Sequence, residues 1–223
     1  MPKWGMVIDL DRCTACQACT VACMAENNVP FVGQERVEEG RLMQWQRLLT
    51  EVEGEYPQAI TRFIPRPCMH CEDAPCVKVC PVGATYTNEE GVVLMHYGRC
   101  IGCRYCMVAC PYGVRTFNWY KPEFNEVHRT YLNPDVPLRP RGVVEKCTFC
   151  IQRIERAKQE GKKVGSEGDV VTACTQTCTG GAIRFGDLED PESDVSRLSK
   201  SQRAFRLLED LGTNPKVYYL KEG

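Results

Sequence analysis

Residues 100–116 read Cys100-Ile101-Gly102-Cys103-Arg104-Tyr105-Cys106-Met107-Val108-Ala109-Cys110-Pro111-Tyr112-Gly113-Val114-Arg115-Thr116, a C-x2-C-x2-C-x3-C run closed by proline. The same spacing occurs at Cys13, Cys16, Cys19 and Cys23. A variant, C-x2-C-x4-C-x3-C, covers Cys68, Cys71, Cys76 and Cys80 and again ends in proline, Pro81. A stretched form, C-x2-C-x23-C-x3-C, covers Cys147, Cys150, Cys174 and Cys178. The 223-residue chain has sixteen cysteines, and these four groups use every one.

Three thiolates two residues apart lie on a tight loop that can wrap three iron corners of a cubane. The fourth, three residues further on, sits on the next turn and points away from that cluster. In the bacterial ferredoxin run this last cysteine ligates the other cluster of a pair, so two motifs exchange their last ligands and become one folded unit. Disulfides are the first alternative, and three thiols within seven residues form a poor disulfide framework. Zinc is the second: taken alone, the fourth group looks like a zinc ribbon. Its context overrides that reading, because the first group needs a partner for its own last cysteine. A three-iron cluster is the third, and every motif keeps all four cysteines. The expected cofactors are four [4Fe–4S] clusters.

Composition narrows the class further. Lys and Arg number 28 against 29 Asp and Glu, a net charge of −1, so no basic field attracts nucleic acid. The chain opens Met1-Pro2-Lys3-Trp4-Gly5 without a basic stretch leading into an apolar one, and without twin arginines, which reads as no export signal of its own. Nowhere do about eighteen apolar residues run together, so no membrane span is expected.

Short apolar runs precede each group, at Met6–Ile8, Arg62–Ile64, Val92–Met95 and Gly142–Val144, and read as strands. A shared turn follows the later groups: Pro81-Val82-Gly83-Ala84, Pro111-Tyr112-Gly113-Val114 and Thr179-Gly180-Gly181-Ala182. Thr85 to Met95 reads as a hairpin turning at Asn88-Glu89-Glu90-Gly91, Cys150 to Glu160 as an amphipathic helix stopped by Gly161, and Ser193 to Leu211 as another helix. Lys216 to Leu220 is strand-like. The fold class expected is α+β: two bacterial 2[4Fe–4S] ferredoxin-like units, one inserted within the other, with loop-rich insertions and a C-terminal helix. Residues 1–63 hold the first motif and an insertion, 64–116 the inner two-cluster unit, and 117–223 an insertion, the fourth motif and a docking segment.

A basic residue stands at or near the start of each group: Arg12, Arg66, Arg99 and Lys146. These are candidates for offsetting cluster charge and raising potentials. His70 lies between two ligands of a complete set, which places it in the second rank around a cluster or on the surface. His96 and His128 read as structural. Tyr105, Tyr112, Phe117 and Trp119 read as packing around the clusters ahead of an electron path. No phosphate-binding, dinucleotide-binding or hydrolytic motif occurs, so no catalytic site is expected; the cofactors carry the redox chemistry.

The order of the four groups, the extended fourth motif, and the strings Gly5-Met6-Val7-Ile8-Asp9 and Glu145-Lys146-Cys147-Thr148-Phe149-Cys150 resemble the four-cluster iron–sulfur subunits of the dimethyl-sulfoxide-reductase superfamily. Polysulfide, thiosulfate, tetrathionate and arsenate reductases and a sulfite dehydrogenase have such subunits. Residues 117–153, with Asn133-Pro134-Asp135-Val136 and Arg141-Gly142-Val143, are also similar to the ferredoxin-like part of alternative complex III. The resemblance covers nearly the whole chain, to Gly212-Thr213-Asn214-Pro215 and Tyr219.

It implies four ligand sets: Cys13, Cys16, Cys19 with Cys178; Cys147, Cys150, Cys174 with Cys23; Cys68, Cys71, Cys76 with Cys110; and Cys100, Cys103, Cys106 with Cys80. It also implies a near-linear chain of clusters, the outer ones from the first and fourth groups at one end and the inner ones from the second and third. The partners implied are a molybdenum or tungsten bis-pterin catalytic subunit and a quinone-reactive membrane subunit of the polysulfide-reductase type. They make the chain a peripheral electron-transfer subunit of respiratory, often anaerobic, metabolism, on either face of the membrane, since such subunits are exported with a catalytic partner. A free polyferredoxin shuttle and a zinc-stabilised interaction module are the competing readings.

Overall fold

The apolar runs ahead of the cysteine groups become strands, and the third cysteine of every group rides on a helix. The computed structural model describes residues 1–221. Within them the strands are β1 Trp4–Asp9, β2 Arg47–Glu53, β3 Ile60–Arg66, β4 Thr85–Thr87, β5 Val93–Met95, β6 Thr116–Phe117, β7 Val144–Glu145, β8 Ile183–Asp187, β9 Ala204–Phe205 and β10 Val217–Leu220. The helices are α1 Ala18–Glu26, α2 Gln34–Glu38, α3 Pro75–Lys78, α4 Tyr105–Val108, α5 Glu126–Thr130, α6 Ile151–Gln159, α7 Ala173–Gln176 and α8 Asp194–Ser199. This is a mixed α and β fold.

The sequence repeat is a repeated piece of geometry. α3, α4 and α7 are single turns carrying Cys76, Cys106 and Cys174. After each, the fourth cysteine closes the turn with its backbone N–H: Cys80 to Val77 O, Cys110 to Met107 O and Cys178 to Thr175 O, all at 3.3 Å. A glycine then bonds back to that cysteine's carbonyl, Gly83 to Cys80, Gly113 to Cys110 and Gly181 to Cys178, at 3.0–3.3 Å. These glycines hold φ near 60°, where a side chain is disfavoured. Thr179 in place of the usual proline leaves the turn unchanged. The first motif has no such turn, because α1 runs on to Glu26.

Distant parts of the chain share one sheet of order β8-β1-β10-β9. β1 pairs in parallel with β10, Met6 opposite Val217, and antiparallel with β8, Met6 opposite Phe185. Alternation sorts its faces: Met6, Ile8, Ile183, Phe185, Val217 and Tyr219 face the main core, while Val7 and Leu220 pack with Val195 of α8 on the other side. The stretch before β10 grips the loop of the second motif: Lys216 N donates to Met69 O at 2.9 Å, and Glu72 N to Asn214 O at 2.9 Å. Tyr219 Oη donates to Pro65 O at 2.9 Å.

Two expectations need correction. The helix expected over 193–211 ends at Ser199, and Ala204-Phe205 instead forms β9, with Phe205 opposite Tyr219 of β10. Pairing along the sheet edge and ring contact with Tyr219 outweigh the helical period there. Much of the first insertion is also regular, since β2 and β3 form a seven-residue hairpin with register Arg47 to Arg66 through Glu53 to Ile60. Its outer half is exposed. The hairpin over 85–95, α6, β1 and β10 lie where the sequence placed them.

The two insertions are tied by a buried polar knot. Arg139 and Glu145, 2% and 0% exposed, pair at 3.3 Å. Trp45 Nε1 donates to Glu145 Oε2 at 3.1 Å, and Asn118 Nδ2 to Glu145 Oε1 at 3.3 Å. Burial pushes the Glu145 carboxyl up, and Arg139 and Trp45 oppose it. Arg139→Met leaves that carboxylate without a charge partner and is expected to cost about 3–5 kcal/mol. Arg139→Met/Glu145→Gln should recover part of it, measured by anaerobic thermal unfolding followed by circular dichroism.

Candidate metal centres

All sixteen cysteines are free thiols, and they gather in fours. Cys13, Cys16, Cys19 and Cys178 line one cavity together with Leu48, Pro65 and Ile183. Cys80, Cys100, Cys103 and Cys106 line a second, with Val82, Met95 and Val144. Cys23 faces Cys147, Cys150 and Cys174. Cys71 faces Cys68, Cys76 and Cys110. Each motif therefore keeps its first three thiols together and sends its fourth to another motif. In α1, Cys19 and Cys23 stand one turn apart on the buried face, so one helix serves two groups.

Close backbone approaches hold the crossing loops. A Cβ on Gly180 would collide with Arg12 O, where the first motif meets the turn of the fourth. A Cβ on Gly102, whose φ is +71°, would collide with Gly142 O. Neither position accepts a side chain without moving a ligand loop.

The groups neighbour one another in succession. Cys19 neighbours Cys23 and Cys174, linking the first group to the fourth. Cys147 neighbours Cys68, linking the fourth to the second. Arg115 lies against both Cys76 and Cys106, linking the second to the third. Burial follows this order: Cys16 and Cys103 are exposed at the two ends, while the middle groups are buried except for half-buried Cys110. Two placements differ from expectation: the third group, expected to be inner, forms the exposed Cys103 end, and the fourth, expected to be outer, is interior, because Cys147-Thr148-Phe149-Cys150 packs against Cys68-Met69-His70-Cys71. His70 and Phe149, one from each loop, stack with centroids 3.7 Å apart. His70 is fully buried, not a surface residue; its Nδ1 accepts from Val93 N at 3.1 Å, and burial pushes its imidazole well below the usual range.

Of the four basic residues singled out in the sequence, Arg12 and Arg99 are exposed and Arg66 is half-buried. Lys146 alone is fully buried, with Nζ donating to Cys147 O at 2.7 Å and to Val93 O. Burial pulls its ammonium down, while Cys68, Cys147 and Cys76 oppose that. Arg115 carried no signal in the sequence, since it lies beyond a finished motif. It is 4% exposed. Burial opposes its charge, yet Cys76, Cys106 and Cys68 hold its guanidinium above the ordinary range. Its Nη2 has no hydrogen-bond partner among the described residues.

Among the aromatics, Tyr112 is buried and donates to or accepts from Thr213 Oγ1 at 2.6 Å. Phe117 and Trp119 meet edge to face at 4.7 Å beneath exposed Arg104. Tyr105 is exposed and not packing. His96 and His128 are on the surface.

The donor sets fit cubane clusters. Each is four thiols, and neither cavity described above is lined by histidine or carboxylate. In the first and third groups the four thiols ring the cavity they line. Burial pushes Cys19 and Cys150 up to about 11 and Cys71 and Cys147 up to about 12. Iron must therefore displace protons from these thiols, which couples cofactor loading to folding.

Four neighbouring groups of four thiols, buried at the centre and exposed at the ends, define an iron–sulfur electron carrier. Residues 59–129 match the model of the 4Fe-4S dicluster domain, and residues 4–25 that of the 4Fe-4S binding domain. The chain is 51% identical to the iron–sulfur cluster-binding subunit of menaquinone reductase from Nitratidesulfovibrio vulgaris, over 98% of this chain and 88% of that one. It is 42% identical to a putative iron–sulfur subunit of dimethyl sulfoxide reductase from Halobacterium salinarum, over 99% and 79%. It is 34% identical to the iron–sulfur subunit of the arsenate respiratory reductase from a Shewanella species, over 98% and 96%. The chain belongs to the family of four-cluster [4Fe–4S] electron-transfer subunits of the dimethyl-sulfoxide-reductase superfamily.

Crossing of the fourth thiols has a spectroscopic consequence. Cys178→Ala and Cys13→Ala are expected to alter the same EPR signal and Cys147→Ala a different one. Each should lower iron by up to about four per chain. Equal effects of Cys178→Ala and Cys147→Ala on one signal would show that the motifs do not cross.

Proposed function

We propose that this chain conducts single electrons between a molybdenum- or tungsten-bis-pterin catalytic subunit and a quinone-reactive integral membrane subunit. The cluster ligands are Cys13, Cys16, Cys19 and Cys178; Cys23, Cys147, Cys150 and Cys174; Cys68, Cys71, Cys76 and Cys110; and Cys80, Cys100, Cys103 and Cys106. The first and fourth motifs form one ferredoxin-like unit, into which the inner unit of residues 64–116 is inserted. The clusters supply one-electron redox chemistry; the chain spaces them, buries the middle two and exposes the outer two. The observation that carries this reading is exposure at both ends of the row, Cys16 and Cys103, with burial between. A free shuttle can load and unload at one exposed edge, whereas a conductor between two proteins needs two.

The two ends differ chemically. Around Cys103 stand Ile101, Tyr105 and Val108, 66%, 56% and 82% exposed, with Val82 beside them. Around Cys16 stand exposed Arg12, Thr14, Gln17 and Thr179. An apolar collar of this kind marks a protein or membrane contact. The Cys103 end meets the integral membrane subunit, and the polar Cys16 end meets the catalytic subunit. No helix among the described residues is long and apolar enough to cross a membrane; in this reading the chain is attached through the integral membrane partner.

Purification without oxygen should give about sixteen irons and sixteen sulfides per chain, little zinc, and EPR signals from interacting cubanes on stepwise reduction. Stoichiometric zinc with little iron would overturn the reading in favour of a structural module. Val108→Lys should keep the iron and release the chain, with any catalytic partner, from the membrane fraction. Undiminished membrane attachment would reverse or remove the assignment of the ends.

A further inference from the structure

The electrostatic surroundings of the four thiol groups are unequal. Three basic side chains converge on the second group. Arg115 lies against Cys76 and Cys68 as well as Cys106 of the third group. Lys146 lies against Cys68 and Cys76 as well as Cys147 of the fourth. Lys216, 5% exposed, is held at the loop of this group by its N–H on Met69 O at 2.9 Å, its Nζ donates to Gly91 O, and its charge is felt by Cys71 and Cys68. The carboxylates in that surround are already paired: exposed Glu72, which acts on Lys216, with Lys3 at 3.2 Å, and buried Glu145 and Glu90 with Arg139 at 3.3 Å and Lys158 at 2.6 Å.

No other group matches this. The first has Arg12, which is exposed. The third has exposed Arg99 and Arg104 and shares Arg115 through Cys106. The fourth shares Lys146 through Cys147 and has Arg153, whose charge is met by Glu26 at 2.6 Å.

One-electron reduction adds a negative charge to a site already anionic through its thiolates. A buried cation stabilises that added charge with little screening, whereas one at the surface is screened by water and salt. Two of the three cations also stand at junctions of the row, Lys146 between the fourth and second groups and Arg115 between the second and third.

We infer that the second group, Cys68, Cys71, Cys76 and Cys110, holds the highest-potential cluster of the four, set there by the converging side chains of Arg115, Lys146 and Lys216. The inference rests on the ligand sets proposed above. The electron then has a resting place in the interior of the row, away from both docking ends and from solvent. Arg115, Lys146 and Lys216 are positioning residues, acting on the cofactor through charge.

The test is potentiometric EPR on the intact complex, with iron and sulfide measured on every sample. The first cubane signal to appear as the potential is lowered should be lost or altered by Cys71→Ser. Arg115→Gln and Lys146→Met should each make that signal at least tenfold harder to reduce, about 59 mV for a one-electron couple. Arg115→Lys should leave it nearly in place, as should Arg12→Gln and Arg99→Gln. Should Arg115→Gln lose iron, Lys146→Met and Lys216→Met carry the same measurement. With iron at full content, a first signal untouched by Cys71→Ser, or unmoved by every loaded charge-removing variant, overturns the inference. Low iron in the unmodified complex strikes instead at the proposed function.

Discussion

A short loop can present three thiols to one cavity, but a fourth thiol held on the next turn must reach somewhere else. Every larger feature of this fold accommodates that constraint. Cys110 goes to the second group and Cys80 to the third, across a hairpin short enough that α3 and α4 pack together. Cys23 and Cys178 must make the same exchange over most of the chain's length. The sheet of β1, β8 and β10 is what brings them within reach, and the close approach of Gly180 to Arg12 is where the two loops finally meet. The repeat of helical turn, closing cysteine and positive-φ glycine fixes the direction in which each fourth thiol leaves.

Burial and charge follow from the same packing. Because the loop containing His70 lies against the loop containing Phe149, the middle groups shield each other and only the outer ones meet solvent. Shielding makes the local charges matter. Arg12 and Arg99 stand in water, where their charge is screened, whereas Lys146 and Arg115 are buried beside cysteines that would be thiolates once iron is bound. An ordinary surface cation and a cofactor-tuning cation differ here in place, not in kind.

Much of this is legible in the sequence because metal chemistry leaves rigid spacing. The sixteen cysteines, their grouping, β1, the hairpin over 85–95, α6 and β10 all follow from local patterns. The features that escape such patterns depend on distant partners. Phe205 and Ala204 fit a helical period, and only the presence of β10 beside them makes them a strand. β2 carries too many charged residues to announce itself without β3. Arg115 follows a completed motif and resembles any surface arginine until the second and third groups close around it. The place of His70 between two ligands leaves second rank and surface equally open; its full burial comes from Phe149, more than seventy positions away.

The parallel pairing of β1 with β10 has a consequence for manufacture. A ribosome delivers β1 and the first three thiols early, but Cys178 and the neighbouring strands of the sheet come much later. The inner pair of motifs can close as soon as residue 116 has emerged. The first motif must wait, open and oxidisable, until nearly all the chain exists. Chain order therefore completes the thiol groups from the Cys103 end of the row towards the Cys16 end, and the group of the polar end, started first, is the last to be finished.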